Sequence, residues 1–278
     1  MTNHIEAKTV IITGAGSGFG RLTAQKIAAR GARVVCADIN AAAALATAEG
    51  IRAQGGQALG VAADVTQAAD MRKLAQQAIE AFGSIDVMIN NAGIMPLSYL
   101  AEHETALPAW DRCIDINFKG VMNGVAAVHD QMLAQGRGHV INISSIYGNT
   151  PTAGAAIYGA TKAAIDYFSH ALRQESRGKI KVTVVKPTGV MNTGLSATVL
   201  NGSAGAGIVG FNQAEFFGAV GQLMSGTAPA EWLDKDNIQY TFLDAEHIAD
   251  AIVGVIDQPW GVSISDITVR ASGDHYIN

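Results

Sequence analysis

The sequence is poor in cysteine, and this shortage excludes a class of protein. Cys36 and Cys113 are the two cysteines in 278 residues, and neither stands in a CxxC pattern or near a histidine at ligand spacing. A disulfide scaffold and a cysteine-based metal site are therefore not expected, and we predict two buried, reduced thiols. The seven histidines are also scattered without metal-binding spacing, so we predict no catalytic metal.

Charge and long hydrophobic runs are scarce too. Charged residues make up 15% of the chain and the formal net charge is −5, with no basic stripe. This argues against a nucleic-acid partner, although not against a small acidic ligand. No apolar run reaches the length of a membrane span, and the start MTNHIEAK lacks a basic stretch followed by an apolar run. We therefore expect no membrane partner, no secretory signal and a cytoplasmic protein.

What the sequence does contain is an alternation of short apolar runs with helical patterns. Strands that alternate with helices favour a parallel sheet covered on both faces, and Val/Ile-rich strands are typical of burial on both sides. We find no repeat and no linker, so residues 1–278 are interpreted as one domain. The predicted strands are 8–14, 33–38, 57–64, 85–93, 138–145, 181–187 and 264–269, and the predicted helices are 19–31, 71–82, 107–135, 158–176 and 245–256, with an Ala-rich helix from Ala41.

A glycine-rich turn, TGAGSGFG (Thr13–Gly20), joins the first strand to the first helix. Gly14, Gly18 and Gly20 fit a GxxxGxG spacing. Glycine permits a tight turn and close approach of a pyrophosphate, which the following helix N-terminus attracts. Such a turn between strand and helix predicts a dinucleotide site.

Asp38, at the end of the second predicted strand, indicates which dinucleotide binds. A carboxylate there can accept hydrogen bonds from both hydroxyls of the adenosine ribose and would repel the 2′-phosphate of NADP. Ser17, Ile39 and Asn40 are uncharged, and Arg21 is the nearest basic residue in sequence. We therefore predict NAD as the cofactor. The alternative is that Asp38 caps the following helix.

Tyr158 and Lys162 lie one turn apart on a predicted helix, and Ser145 ends the preceding strand pattern. An isolated Tyr–Lys pair is usually a surface feature. Behind a nucleotide-binding turn it indicates proton transfer, because an ammonium favours the phenolate form of a tyrosine whose free pKa is about 10. A serine can hydrogen-bond the substrate oxygen as charge develops on it.

The order and spacing of these motifs resemble the short-chain dehydrogenase/reductase family across nearly the whole chain. The resemblance implies an α/β fold, a Rossmann-type doubly wound parallel sheet of about seven strands with the nicotinamide at its carboxyl edge. Residues 1–143 are then mainly cofactor-binding. The matching pieces are TGAGSGFG, Asp64-Val65, Asn90-Asn91-Ala92-Gly93, Asn117, Ser145 and Tyr158-Gly-Ala-Thr-Lys162.

The resemblance also implies roles for single residues. Asp64 and Val65 hold the adenine, Lys162 grips the nicotinamide ribose, and Asn117 anchors a water near that lysine. The implied cofactor-binding set is Gly14, Ser17, Gly18, Phe19, Gly20, Asp38, Ile39, Asp64, Val65, Asn91, Ala92, Gly93, Tyr158, Lys162, Pro187, Val190 and Thr193.

One motif departs from the family pattern. The family usually has glycine directly after the proline, where this chain has Thr188 after Pro187. The family's later threonine is replaced by Asn192, with Thr193 one position further on. This shift puts the contact between Thr193 and the nicotinamide carboxamide in question.

Together these residues predict an oxidoreductase that transfers hydride between NAD(H) and a secondary alcohol or ketone. Tyr158 is the general acid/base, Ser145 orients the substrate oxygen, Lys162 lowers the tyrosine pKa, and Asn117 supports a proton-relay water. Two alternatives stay open: an NAD(H)-binding redox-sensing regulator, and an enzyme of the same fold with other chemistry, such as an epimerase or dehalogenase. The presence of all four residues favours the oxidoreductase.

Residues 190–243 interrupt the alternation, and long stretches of this kind are usually functional or partly helical. We predict that they form a mobile, apolar cover over a pocket for a bulky hydrophobic substrate; the alternative is a fixed helical layer or an oligomer contact. The resemblance further implies a homo-tetramer, or a dimer, built on long helices. The predicted substrate-binding residues are Met95, Leu97, Ser145, Tyr147, Tyr158, Met191 and Leu195.

Overall fold

Seven parallel strands form one sheet, in the order 3-2-1-4-5-6-7, in the computed structural model, which describes residues 2–190 and 193–277. The strands are β1 (Thr9–Thr13), β2 (Arg33–Asp38), β3 (Gln57–Ala62), β4 (Val87–Asn90), β5 (Gly138–Ile143), β6 (Ile180–Pro187) and β7 (Asp266–Val269). They are the seven strands that the sequence predicts, and the doubly wound fold is confirmed.

Burial explains the Val/Ile-rich composition of these strands. Every residue of β1, β4 and β5 is buried, whereas β7 at the sheet edge alternates between exposed and half-buried residues. A central strand is covered on both faces, so neither of its sides can be polar without a partner.

Helices cover both faces of the sheet. They are α1 (Gly18–Ala28), α2 (Ala41–Ala53), α3 (Ala68–Phe82), α4 (His103–Cys113), α5 (Gly120–Ala134), α6 (Ala156–Glu175), α7 (Gln213–Ser225), α8 (Ala230–Leu233) and α9 (Ala245–Ile256). On one face, α1 and α9 contribute Ile27 and Ile252 to a single core. On the other face, α3 and α5 contribute Leu74 and Met132. Within the described ranges, no helix is long and apolar enough to cross a membrane.

The helix predicted over residues 107–135 is interrupted in the middle. A π-helical turn, Ile114–Lys119, separates α4 from α5. Such turns widen the helix locally and often occur at functional sites. Asn117 is the buried residue of this turn, and its side chain reaches the sheet edge described below.

A buried chain of hydrogen bonds joins two central strands to α6. Asn90 on β4 donates to the Asn142 side chain on β5 over 2.8 Å, and Asn142 donates to the Ser169 hydroxyl on α6 over 2.8 Å. Ser169 then donates to the carbonyl of Ile165 over 2.7 Å. This chain of hydrogen bonds fixes the position of α6 along its axis relative to β4 and β5.

The order of the strands creates a crevice. β2 and β3 lie on one side of β1, and β4 to β7 lie on the other. In open parallel sheets, ligands bind outside the carboxyl ends of the strands at the point where the order reverses. Here that point is the gap between β1 and β4, where the glycine-rich turn and Asn91 stand.

Residues 193–243 contain short 3₁₀ turns, α7 and α8, which confirms that the irregular stretch is partly helical. Its first part is anchored to the body of the protein: Ala204, Ile208 and Val209 are fully buried. Its second part is less embedded, because Ala219 is the buried residue of α7.

Candidate active site

A cavity of about 640 Å³ lies at the carboxyl edge of the sheet, over the crevice between β1 and β4. Most of the residues predicted from the sequence line it, and the structure brings the two predicted sets into one space. The predicted residues in its lining are Gly14, Ser17, Gly18, Phe19, Asp38, Ile39, Asp64, Val65, Asn91, Ala92, Gly93, Met95, Ser145, Tyr147, Tyr158, Lys162, Pro187, Val190, Thr193 and Leu195.

The glycine-rich turn is shaped for a close backbone approach. Gly14 has a φ of +67°, and a Cβ there would lie 2.9 Å from Asn91 Nδ2. Gly20 packs against the Gly14 carbonyl and lies behind the cavity wall, so it shapes the turn rather than the surface. α1 begins at Gly18, and no side chain caps its N-terminus. Its first N–H groups are therefore available to an anion, which fits the pyrophosphate of a dinucleotide.

Asp38 fixes the conformation of this turn. One carboxylate oxygen accepts from the Gly16 N–H over 2.9 Å, and the other accepts from the Asn40 N–H over 2.9 Å. The helix cap is Asn40, whose side chain accepts from Ala43 N. The alternative that Asp38 caps α2 is therefore wrong. The carboxylate lines the cavity, where a ribose would meet it.

Asp64 and Val65, which are predicted to hold the adenine, are held in place by contacts within the protein. Asp64 Oδ1 accepts from both the N–H and the hydroxyl of Thr66, over 2.9 and 2.8 Å. Val65 packs against Gly120, where a Cβ would lie 2.7 Å from a Val65 methyl group. The absence of a side chain at Gly120 therefore gives Val65 its place at the cavity wall.

Asn91 ties the end of β4 to the glycine-rich turn. Its amide donates to the carbonyl of Thr13 over 2.8 Å and to that of Gly14 over 3.2 Å. Its own N–H donates to the Thr13 hydroxyl over 3.0 Å. The two strand ends on either side of the crevice are thus locked to each other.

Ser145, Tyr158 and Lys162 meet on the other side of the crevice. Ser145 follows β5 and begins a 3₁₀ turn, while Tyr158 and Lys162 share one face of α6. The three residues are 6%, 4% and 6% exposed, which excludes the interpretation of a surface Tyr–Lys pair. Lys162 Nζ donates to the carbonyl of Ile143 over 2.9 Å and lies 5.6 Å from the centroid of the Tyr158 ring.

Burial controls the protonation of this group. It raises the pKa of Tyr158, and a hydrogen bond with Ser145 opposes that rise. Burial also lowers the pKa of Lys162 to about 8. The predicted lowering of the Tyr158 pKa is therefore not a property of the protein alone, in which the phenol is protonated at neutral pH.

Asn117 lies behind the cavity wall and is 1% exposed. Its Oδ1 accepts from the N–H of Ile94 over 2.9 Å, and its Nδ2 donates to the Ile94 carbonyl over 2.9 Å. Because the side-chain amide is used in both directions, it positions the chain after β4.

The altered motif after β6 has a structural explanation. Thr188 is buried, and its hydroxyl donates to the Val269 carbonyl on β7 over 3.0 Å, with Asp274 Oδ2 at 3.4 Å. Thr193 lines the cavity opposite Gly18. The predicted substrate residue Met191, and Asn192 beside it, lie outside the described residues.

The substrate wall differs from the prediction at two points. Leu97 does not line the cavity; it is 3% exposed and packs with Cys113 and Ala155 behind Tyr158. Tyr276 does line the cavity and was not predicted, because it stands far along the chain from every motif. The sequence holds one signal that could have pointed to Tyr276: the tyrosine follows Arg270 and Asp274, two oppositely charged residues spaced so that they can pair. Ile94, Arg112 and Ser196 also line the cavity without having been predicted.

Both cysteines are free and buried, as predicted. Burial raises the pKa of Cys36 to about 12 and that of Cys113 to about 11. Neither thiol is therefore a nucleophile at neutral pH.

Comparison with known families agrees with this geometry. The family described as short chain dehydrogenase matches residues 8–203. An uncharacterized oxidoreductase of Listeria monocytogenes is 35% identical over 271 residues, covering 95% of this chain and 96% of that protein. A 2,5-dichloro-2,5-cyclohexadiene-1,4-diol dehydrogenase of Sphingobium indicum is 38% identical over 202 residues, covering 72% of this chain and 79% of that protein.

Solved structures show the same architecture. A short-chain dehydrogenase/reductase from Burkholderia phymatum in complex with NAD superposes with a TM-score of 0.74 at 27% identity, covering 96% of this chain and 90% of that one. A metagenomic short-chain oxidoreductase in complex with NADP superposes with a TM-score of 0.72 at 25% identity, covering 96% and 98%.

Proposed function

This chain belongs to the short-chain dehydrogenase family, and from that premise we propose that it transfers hydride between NAD(H) and a secondary alcohol or ketone. The observation that carries the proposal is the buried group of Ser145, Tyr158 and Lys162 beside a glycine-rich turn with an uncapped helix N-terminus. The group of three side chains can transfer a proton, and the glycine-rich turn can bind a dinucleotide.

The bound nicotinamide supplies or accepts the hydride. The protein has to hold the substrate oxygen and move one proton. In ketone reduction Tyr158 donates its proton to the oxygen, and in alcohol oxidation it removes the proton from the hydroxyl. Burial raises the pKa of Tyr158 and so keeps the phenol protonated, as the acid role requires, although it also makes the phenol a weaker acid. The base role needs a nearby positive charge, which Lys162 carries when it is protonated.

Ser145 directs the substrate oxygen toward Tyr158. Its hydroxyl already accepts from the Tyr147 N–H over 3.3 Å and bonds to Tyr158. When a substrate oxygen binds between the two hydroxyls, the proton that Ser145 otherwise donates to the phenol can be donated to that oxygen, and such donors act strongly in a site that excludes water.

Family membership alone is compatible with NAD or NADP, because solved neighbours are complexed with one or the other. We propose NAD. Asp38 lines the cavity with its carboxylate, and the lining residues of the glycine-rich turn and of the position after Asp38, which are Gly14, Ser17, Gly18 and Ile39, are not basic. A 2′-phosphate placed there would face a carboxylate without a compensating cation.

We further propose that the substrate is hydrophobic over most of its surface. Ile94, Met95 and Leu195 line the cavity beyond Ser145 and Tyr158. The chemistry of the Sphingobium relative, a cyclic diol dehydrogenase by name, is of the same class as the one proposed here.

NADH absorbance tests this proposal directly. The purified protein is assayed with NAD and a series of secondary alcohols from 2-propanol through cyclohexanol to 2-decalol, and with NADH and the matching ketones. We expect turnover that increases with the size of the hydrocarbon and is lower for lactate and 3-hydroxybutyrate. Tight NADH binding without turnover of any alcohol or ketone would favour the redox-sensing alternative. Preference for the charged substrates would contradict the hydrophobic pocket.

We also propose a homo-oligomer, with a tetramer or dimer assembled on the two long helical regions, α4–α5 and α6. The first region exposes Leu107, Ile114 (in the π-helical turn between α4 and α5) and Met122 at 50%, 44% and 41% of their surfaces. Exposed apolar side chains on neighbouring helical turns are typical of subunit contacts. Light scattering after size-exclusion chromatography measures the mass; a monomer at micromolar concentration would contradict this proposal.

A further inference from the structure

We propose that Tyr147 and Tyr276 form a second polar subsite, which binds a second oxygen of the substrate. The inference rests on the proposed function and narrows it: the preferred substrate is a cyclic diol or hydroxyketone rather than a simple alcohol. At one end of the substrate the carbinol carbon gives its hydride to NAD and its hydroxyl gives its proton to the Tyr158 phenolate, so that this end leaves as a ketone. The other oxygen is held by the two phenols and leaves unchanged.

Tyr276 reaches the cavity from the C-terminal end of the described chain. Its ring lies directly on Gly189, where a Cβ would collide with the ring and the hydroxyl. Gly189 also has a φ of +46°, a conformation that side-chain-bearing residues rarely adopt. Position 189 is therefore matched to the tyrosine, and the phenol lies against the backbone that follows β6.

A set of polar contacts holds Tyr276 in place. Asp274 is 5% exposed and pairs with Arg270 over 2.7 Å. The same carboxylate accepts from the Tyr276 N–H over 3.1 Å, and Arg270 donates to the Tyr276 carbonyl over 2.6 Å. Thr188 approaches Asp274 from β6 at 3.4 Å. Because the backbone on both sides of the ring is bonded, Tyr276 is a fixed part of the wall.

Tyr147 connects this subsite to the reaction centre. Its ring packs edge-on against Tyr158 with 5.4 Å between the centroids. Tyr147 and Tyr276 pack against the same apolar group of Ile146, Ile208 and Val209. The two tyrosines are close enough that the Tyr276 phenol adds to the rise that burial causes in the pKa of Tyr147. Burial raises the pKa of Tyr276 to about 12, so both phenols keep their protons as donors.

Both tyrosines line the cavity, and within residues 2–190 and 193–277 neither phenol oxygen has a hydrogen-bond partner. Phenols in largely apolar surroundings need a partner, and a donor that faces a ligand cavity selects for an acceptor on the ligand. A wall that only had to bind hydrocarbon would be served by phenylalanine at both positions.

The test compares substrates that differ by one hydroxyl. Cyclohexanol and the 1,2-, 1,3- and 1,4-cyclohexanediols are assayed with NAD, and kcat/KM is measured for each. We expect at least one diol to exceed cyclohexanol about tenfold, since a site built to hydrogen-bond a hydroxyl discriminates against the analogue that lacks it. In Tyr276→Phe, the ratio of kcat/KM for that diol to kcat/KM for cyclohexanol should fall about tenfold, and in Tyr147→Phe it should fall as well.

Tyr167→Phe is the matched control, because Tyr167 is 81% exposed on α6 and far from the cavity lining. It should leave the ratio as in the wild type. Cyclohexanol turnover with no diol preference, or a diol preference that survives Tyr276→Phe, overturns the subsite while the proposed function stands. If no alcohol of the series is oxidised, the proposed function fails, and the subsite fails with it.

Discussion

The two sides of the cavity are built in different ways. On the cofactor side, side-chain-to-backbone hydrogen bonds lock neighbouring loops together, as Asp38 does to Gly16 and Asn91 to Thr13. On the substrate side, residues 193–243 form short 3₁₀ turns and a surface helix, with Phe211 and Met224 exposed at 90% and 83%. The dinucleotide is therefore met by a fixed surface, and the variable chemistry of substrates is met by a segment with fewer constraints.

The substrate-side segment is itself divided. Thr198 accepts from the Met95 N–H over 2.8 Å, and Asn201 donates to Glu102 over 2.7 Å, so the part up to about residue 212 is anchored to the loop after β4. Among the described residues α7 makes no hydrogen bond to that loop; Ala219 is its buried residue, and Phe216 packs against the rings of His275 and Tyr276. If a mobile cover exists, the contrast assigns the motion to α7 rather than to the whole of 190–243.

Tyr158→Phe should have the largest effect and should separate the two functions of the cavity, because it removes proton transfer and leaves nucleotide binding. Turnover should fall more than about a hundredfold, because proton transfer by a positioned group typically contributes 10² to 10⁴ in rate. NADH binding, measured by fluorescence titration, should survive, since the turn and Asp38 hold the nucleotide. Tyr167→Phe serves as the control. Retention of more than about a hundredth of the wild-type kcat would show that the phenol is not the general acid/base.

Lys162→Met tests the burial of the Lys162 amine through the pH dependence of the free energy of unfolding. The folded-state pKa of Lys162 is about 8 and the unfolded value is 10.5. Between these values the unfolded chain binds more protons, so the wild type should gain stability relative to the variant as pH rises from 8 to 10.5. The gain is at most about 3 kcal/mol. Urea unfolding of both proteins without cofactor measures it, and a difference that stays flat or falls with pH would contradict the buried amine.

Asp38→Ala should reduce the preference for NAD over NADP about tenfold, because it removes both the ribose contact and the repulsion of the 2′-phosphate. The ratio of the two kcat/KM values is the measurement. Asp38→Asn is the control for the turn, since an amide oxygen can still accept from Gly16. A wild-type enzyme that uses both cofactors equally, or prefers NADP, would show the assignment to be wrong.

Hydrogen exchange can compare the two parts of residues 193–243, which are the anchored part up to about residue 212 and α7. We expect amides of α7 to exchange faster than those of β1 and β4, and to slow when NADH and a substrate analogue bind, because a cover buries its apolar face only when closed. Residues 198–212 should be intermediate and change less. Slow exchange across α7 that is the same with and without ligands would mean a rigid layer, and the mobile cover would be abandoned.

The smallest expected effect concerns the two thiols. Cys36 lies in β2 within the central core, whereas Cys113 packs in a group that includes Ala204 of the substrate-side segment. Local opening should expose Cys113 first, so it should react with a thiol reagent at pH 8 a few times faster than Cys36, and ligands should remove the difference. Cys36→Ser and Cys113→Ser separate the two signals. Faster labelling of Cys36 would reverse the proposed order of rigidity.

The sequence predicts the fixed side well because its signals are local. The run Arg33–Asp38 and the turn from Thr13 to Gly20 carry their conformation in neighbouring residues, and the strands and the cavity lining agree with them. The wrong predictions concern residues whose positions depend on tertiary contacts. Leu97 is predicted to line the cavity but is buried behind Tyr158, whereas Tyr276 lines the cavity without having been predicted. Contacts with residues far away in sequence cause both differences, and no local pattern encodes them. Thr188, which appeared as a departure from a motif, acquires its reason only where β6 meets β7.

The amide chain from Asn90 through Asn142 to Ser169 has a consequence for the choice among alternative packings. Apolar contacts between a helix and a sheet tolerate sliding, since leucine and isoleucine can pack against many neighbours, whereas these amide and hydroxyl groups can hydrogen-bond to one another in one register only. A shift of α6 by one turn would strand these amides in the interior. The hydrogen-bond chain therefore makes packings in which α6 is shifted higher in energy than the native one. This matters for function because α6 carries Tyr158 and Lys162.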